Sequence, residues 1–109
     1  TALPPGVFRT WRRWSHRRGY YRRDLAKALR PHFFDEIRAP ICSWLFGDDP
    51  IATPKSAADI MGCYPHTPQE LVQRTPADLG VQRIGHEGAF KPGVEALWDE
   101  WWRWLAQDA

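Results

Sequence analysis

Apolar positions in this chain recur at two helical spacings, separated by a short continuous run. Near the start, Val7, Phe8, Trp11 and Trp14 fall three or four apart, with arginines between them. That spacing predicts an amphipathic helix from about Val7 to His16, stopped near Gly19, with one face buried and one solvated. Near the end, Val94, Leu97, Trp98, Trp101, Trp104 and Leu105 repeat the pattern from Pro92 to about Gln107, and Trp102 widens the stripe. A stripe that wide predicts a helix packed on a sheet. Between them lies Ile41 to Phe46, apolar and small residues bracketed by Pro40 and Gly47. Such a run predicts a buried strand of a parallel sheet.

The remaining segments fill in around these three. Leu25, Ala28 and Leu29 share a helical face that begins near Arg22 and is interrupted at Pro31. Phe33, Phe34 and Ile37 form an apolar cluster before the strand. Thr53-Pro54 reads as an N-cap followed by proline at the first helical position, with Ala57, Ala58, Ile60 and Met61 carrying the helix to about Gly62. Glu70 to Arg74 predicts a second strand, with Leu71 and Val72 inward. Thr75-Pro76-Ala77-Asp78 repeats the cap-then-proline signal for a single turn ending at Gly80, and Val81 to Ile84 is extended. Strands alternating with helices predict an α/β arrangement: two short parallel strands with about four to five helices.

Composition adds an asymmetry that the net charge of +2 conceals. Up to Arg30 there are nine basic residues against Asp24 alone, a balance of +8, and the rest of the chain carries −6. The organisation is accordingly read as a basic, Trp/Arg-rich helical segment over 1–38 and a β-α-β-α part over 39–109. No apolar run approaches the ~18 residues of a membrane span, so no membrane span is expected. Arginines interrupt the N-terminus early, against a signal peptide. Cys42 and Cys63 are too few for a disulfide scaffold and are expected to be buried free thiols, which favours a cytoplasmic location. No pair of candidate ligands has short metal-binding spacing, so neither a metal nor a cofactor is expected.

The candidate chemistry lies in two loops. Asp48 and Asp49 follow the first strand, where open α/β sheets place their reactive groups. As turn formers they would carry no chemistry. After the second strand comes Gly85-His86-Glu87-Gly88. Histidine titrates near neutrality and can take a proton from a nucleophile and return it to a leaving group. A carboxylate can hold the imidazole in one tautomer and stabilise its cation. Flanking glycines allow a tight turn. Acid before base is the chain order of hydrolase triads.

Several of these stretches together resemble the C-terminal part of an α/β-hydrolase, of the bacterial serine aminopeptidase- or lysophospholipase-like kind. They are Ala39-Pro40 with the strand, Gly47-Asp48-Asp49-Pro50-Ile51-Ala52-Thr53, Thr75-Pro76-Ala77-Asp78-Leu79-Gly80, Arg83-Ile84-Gly85-His86-Glu87-Gly88-Ala89-Phe90 and the final Trp-rich helix. The resemblance covers about Arg38 to Leu105; the stretch around Trp11-Arg12-Arg13-Trp14 resembles the connection between cap and core. It implies that Asp49, immediately before Pro50, is the triad acid and His86 the base. Asp48, Gly85 and Gly88 would then support the loop. The chain departs from the family pattern at Glu87, where an apolar residue is usual, and at Ala89, where an aromatic is usual. It also lacks the nucleophile. Ser15, Ser43 and Ser56 do not lie on a Gly-x-Ser-x-Gly turn, nor do the two cysteines.

The resulting expectation is the C-terminal portion of a serine hydrolase acting on a small acyl ester, thioester or amide. It would be inactive alone, with elbow and oxyanion loop in a segment preceding Thr1. It would self-associate or pair with that N-terminal part, because an excised sheet leaves open edges and an uncovered apolar face. Two alternatives compete: a small nucleic-acid-binding module using the basic arm with Trp11, Trp14, Tyr20 and Tyr21, which is the less favoured, or a non-catalytic interaction domain.

Overall fold

The structure is a computed structural model that describes residues 3–107. In order, the elements are α1 (Pro5–Ser15), a 3-10 turn (Arg22–Ala26), β1 (Ile41–Phe46), α2 (Pro54–Met61), β2 (Gln69–Arg74), two further 3-10 turns (Ala77–Leu79 and Gly88–Phe90) and α3 (Glu95–Ala106). The strands pair in one two-stranded sheet. The Ile41 N–H donates to the Pro68 carbonyl and the Gly47 N–H to that of Arg74, six residues further along both strands. The register therefore advances in the same direction on each strand, and the sheet is parallel. Helices with a two-stranded parallel sheet agree with an α/β class. The described residues hold three α-helices rather than four to five. The segment from Arg22 tightens into a 3-10 turn, and the turns before Gly80 and after His86 stay at three residues each.

The described residues divide into two compact units: residues 3–41 with 55–69, and residues 42–54 with 70–107. In the first unit, α1 is held by Trp14. Its indole N–H donates to Asp24 at 2.7 Å, and its ring meets Tyr20 and Tyr21 edge-on. Asp24 is buried and also receives Arg13 at 2.9 Å and Arg17 at 3.3 Å. The Trp14 bond outweighs the cost of burial, and with the two arginines it holds the carboxyl below the ordinary aspartate range. Phe34 continues the aromatic cluster, stacked on Tyr21 and edge-on to Tyr64. Burial, with Tyr64 and Cys63 nearby, pushes the Tyr21 hydroxyl well above the usual tyrosine range. The buried face expected for α1 is not found. Val7, Phe8 and Trp11 are about half exposed, and only Trp14 is turned inward. Amphipathic spacing establishes that a helix has two faces, while burial also needs an apolar surface opposite.

The second unit packs α3 on the sheet. Ala89, Val94 and Leu97 form the buried cluster, with Trp44 and Phe46 of β1, Leu79, Val81 and Trp101 against it. Trp98 donates its indole N–H to the Ala89 carbonyl at 2.7 Å, which ties α3 to the turn after His86. Arg74 at the end of β2 grips Glu100 of α3 through two nitrogens, at 2.6 and 3.0 Å. On β2 Val72 is half-buried while Leu71 is exposed, because successive strand residues point to opposite faces. Thr75 and Asp78 cap the turn between them reciprocally: the Thr75 N–H donates to the Asp78 carboxylate at 2.7 Å, and the Asp78 N–H to the Thr75 hydroxyl at 3.3 Å.

Candidate active site

The site is built at the end of β1, within the second unit. Gly47 closes the parallel ladder, and the Asp49 N–H donates to the Phe46 carbonyl at 3.0 Å, so the chain turns immediately after the strand. This turn puts two consecutive carboxylates at the strand's C-terminal end. Oδ1 of Asp49 accepts the N–H groups of Ile51 at 2.8 Å and Ala52 at 3.0 Å. The acid is thereby locked by its own loop, as short polar side chains in turns often are.

His86 reaches this carboxylate. Its Nδ1 lies 3.2 Å from Oδ1 and 3.1 Å from Oδ2 of Asp49. The Asp49 side chain is 4% exposed and that of His86 is 47% exposed. Burial raises the carboxyl's pKa, but the two backbone N–H donors and His86 overcome it, and the group ends below the ordinary aspartate range. An ionised carboxylate only accepts hydrogen bonds, so Nδ1 must carry the proton. In the neutral ring Nε2 then keeps its lone pair, which is the arrangement a general base requires.

Asp48 works on the same segment from the other side of the turn. Its Oδ2 accepts the N–H of Ile84 at 2.9 Å and of Gly85 at 3.0 Å. Those bonds, from Ile84 first and Gly85 second, hold its carboxyl below the usual range. The two acids after β1 thus divide their work: one fixes the backbone leading to His86 and the other fixes its ring. Gly85 has φ of +64°, a conformation that L side chains rarely adopt. Gly88 has no such φ, and a methyl group there would meet Ile84 at 3.4 Å, an ordinary contact. Of the two flanking glycines, only Gly85 is required by backbone geometry.

The structure therefore places Asp48, Asp49, Gly85 and His86 together, with Gly88 one turn on. The two departures from the hydrolase pattern separate in space. Ala89 is buried in the core cluster, whereas Glu87 is exposed and lines an open pocket of ≈500 Å³. His86, Arg83 and Lys91 also line that pocket, over a floor that includes Ile84 and Val94. This pocket was not legible in the sequence: apart from Ile51 its lining comes from the single stretch 81–94, which forms a pocket only through the way that stretch turns at Gly88–Phe90. Among the described residues, no group of three or more His, Cys, Asp or Glu is placed to hold a metal ion. None of their helices is long and apolar enough to cross a membrane.

Comparison with protein-family models, with curated proteins and with solved structures gives no match for this chain.

Proposed function

We propose that this chain is the acid-and-base part of a serine α/β-hydrolase, with β1 and β2 as strands of a larger parallel sheet. One observation carries the reading: a buried, ionised Asp49 bonded to Nδ1 of a half-exposed His86, each from a loop that follows a parallel strand. The His86 Nε2 would take the proton of a serine hydroxyl as that oxygen attacks the acyl carbonyl. The same proton would then pass to the departing alcohol, thiol or amine. Asp49 would hold the tautomer throughout and stabilise the imidazolium. A water activated by His86 would release the acyl group from the serine. The substrate class is a small acyl ester, thioester or amide, for which the pocket beside His86 offers room. The serine and the oxyanion donors come from outside residues 3–107, since the serines inside lie on no elbow.

The test uses the polypeptide that carries these residues in the cell. A fluorophosphonate should label one serine outside 3–107. His86→Ala should lower the turnover of p-nitrophenyl acyl esters by about 10³-fold or more. Absence of labelling, or undiminished turnover in His86→Ala, overturns the hydrolase reading.

A further inference from the structure

We propose that the exposed face of α1 docks on the surface of an anionic phospholipid bilayer. The proposal concerns the first unit alone and does not rest on the hydrolase reading. At 100° per residue, Val7, Trp11 and Phe8 span about one quarter to one third of the helix circumference. All three are about half exposed, as is Leu3 just before the helix, and the Phe8 and Trp11 rings touch with centroids 6.0 Å apart. The helix is fastened to its own unit at its C-terminal turn, where Trp14, on the same side as Val7 and Trp11, and Arg13 meet Asp24. The N-terminal part of the stripe, at Val7, Phe8 and Trp11, is left exposed.

The flank of the strip supplies the charge. Arg12 and Arg9 follow Phe8 around the helix, both are exposed, and neither belongs to the ion pairs among the described residues. A short helix with Trp and Phe on one face and arginines beside them suits the boundary between headgroups and acyl chains. The surrounding segment up to Arg30, with its balance of +8, complements an anionic leaflet. Nucleic acid shares that charge but fits the strip less well. Bases stack on aromatic rings, whereas the exposed aliphatic Leu3 and Val7 gain only from hydrocarbon.

The experiment is co-sedimentation of the chain with phosphatidylcholine vesicles, with and without about one-third phosphatidylglycerol. Binding should be more than about tenfold tighter to the anionic vesicles, at roughly fivefold per arginine, and should weaken as salt rises. Phe8→Asp with Trp11→Asp should abolish it, and Arg9→Glu with Arg12→Glu should remove the preference for anionic lipid. Trp102→Asp, on α3, should leave it unchanged. Circular dichroism and the urea midpoint identify any variant that fails to fold. The proposal is overturned by absence of wild-type binding at low salt, by retention in folded Phe8→Asp/Trp11→Asp, or by an oligonucleotide that displaces the chain from vesicles and itself depends on Phe8 and Trp11.

Discussion

At the scale of single residues, Asp49 and Asp48 invite different substitutions because they hold different atoms. Asn in place of Asp49 keeps the shape but introduces an amide that can donate to Nδ1. The ring would then carry its proton on Nε2, the atom that must act as base. Nitrogen-detected NMR of His86 should show the Nδ1–H tautomer in the parent chain and the Nε2–H tautomer in Asp49→Asn. In the catalytic polypeptide, the same substitution should lower kcat by about 10⁴. The two acids also predict a response to pH. Both are held below their unfolded value of about 3.9. Each therefore favours the folded chain fully at neutral pH, and loses that effect as pH falls from about 5 through the depressed folded value. Asp48→Asn removes one titrating group. Its urea midpoint should fall less than that of the parent chain between about pH 7 and pH 3. Equal losses in the two proteins would show that Asp48 does not carry this dependence.

At the scale of elements, the loop after β2 separates a required glycine from a permitted one. Gly85→Ala places a side chain at φ of +64° and should cost about 1–2 kcal/mol. Gly88→Ala adds a methyl in ordinary contact with Ile84 and should change stability by less than about 1 kcal/mol. Urea unfolding of both variants tests the difference. The same contrast shows what the sequence made legible. The bounds of β1 were readable because Pro40 and Gly47 bracket it, although of the expected buried strand only Leu45 is buried, and the start of α2 was readable because Thr53-Pro54 opens it. The pairing of Asp49 with His86 was an implication of the hydrolase resemblance, since the order of strands and loops does not by itself choose between Asp48 and Asp49. Two things were not readable. Leu25, Ala28 and Leu29 suggested a helical face, yet the segment turns tightly around Asp24, whose three partners come from α1 and its C-terminal extension. The signal was a lone acid among nine bases, but charge counting does not say which bases it meets. The burial of α1 was also beyond reach, since a periodic pattern carries no information about an opposing surface.

At the scale of the whole molecule, apolar surface is left without cover. Only seven hydrophobic residues are buried among those described, while Trp102, Leu105 and Phe90 stand 70%, 66% and 78% exposed on and beside α3. The α3 stripe is wider than the sheet beneath it: Leu97 and Trp101 meet the core, and Trp102 and Leu105 lie beyond its edge. A large side chain gains about 1.5–3 kcal/mol when it passes from exposed to buried, so covering these few residues can offset the entropy of association. The two-stranded sheet also has two outer edges along which a further strand can add. The chain by itself should therefore self-associate, with these residues at the contact. Light scattering after size exclusion should give a mass above 12.7 kDa that rises with concentration. Trp102→Glu with Leu105→Glu should return it towards that value, since both side chains point away from the core and the charge would have to be buried in the contact. A monodisperse 12.7 kDa species in the parent chain at high concentration would show that the exposed α3 face does not drive assembly. A charged double variant that still assembles would move the contact to the strand edges or to α1, whose own variants distinguish those two.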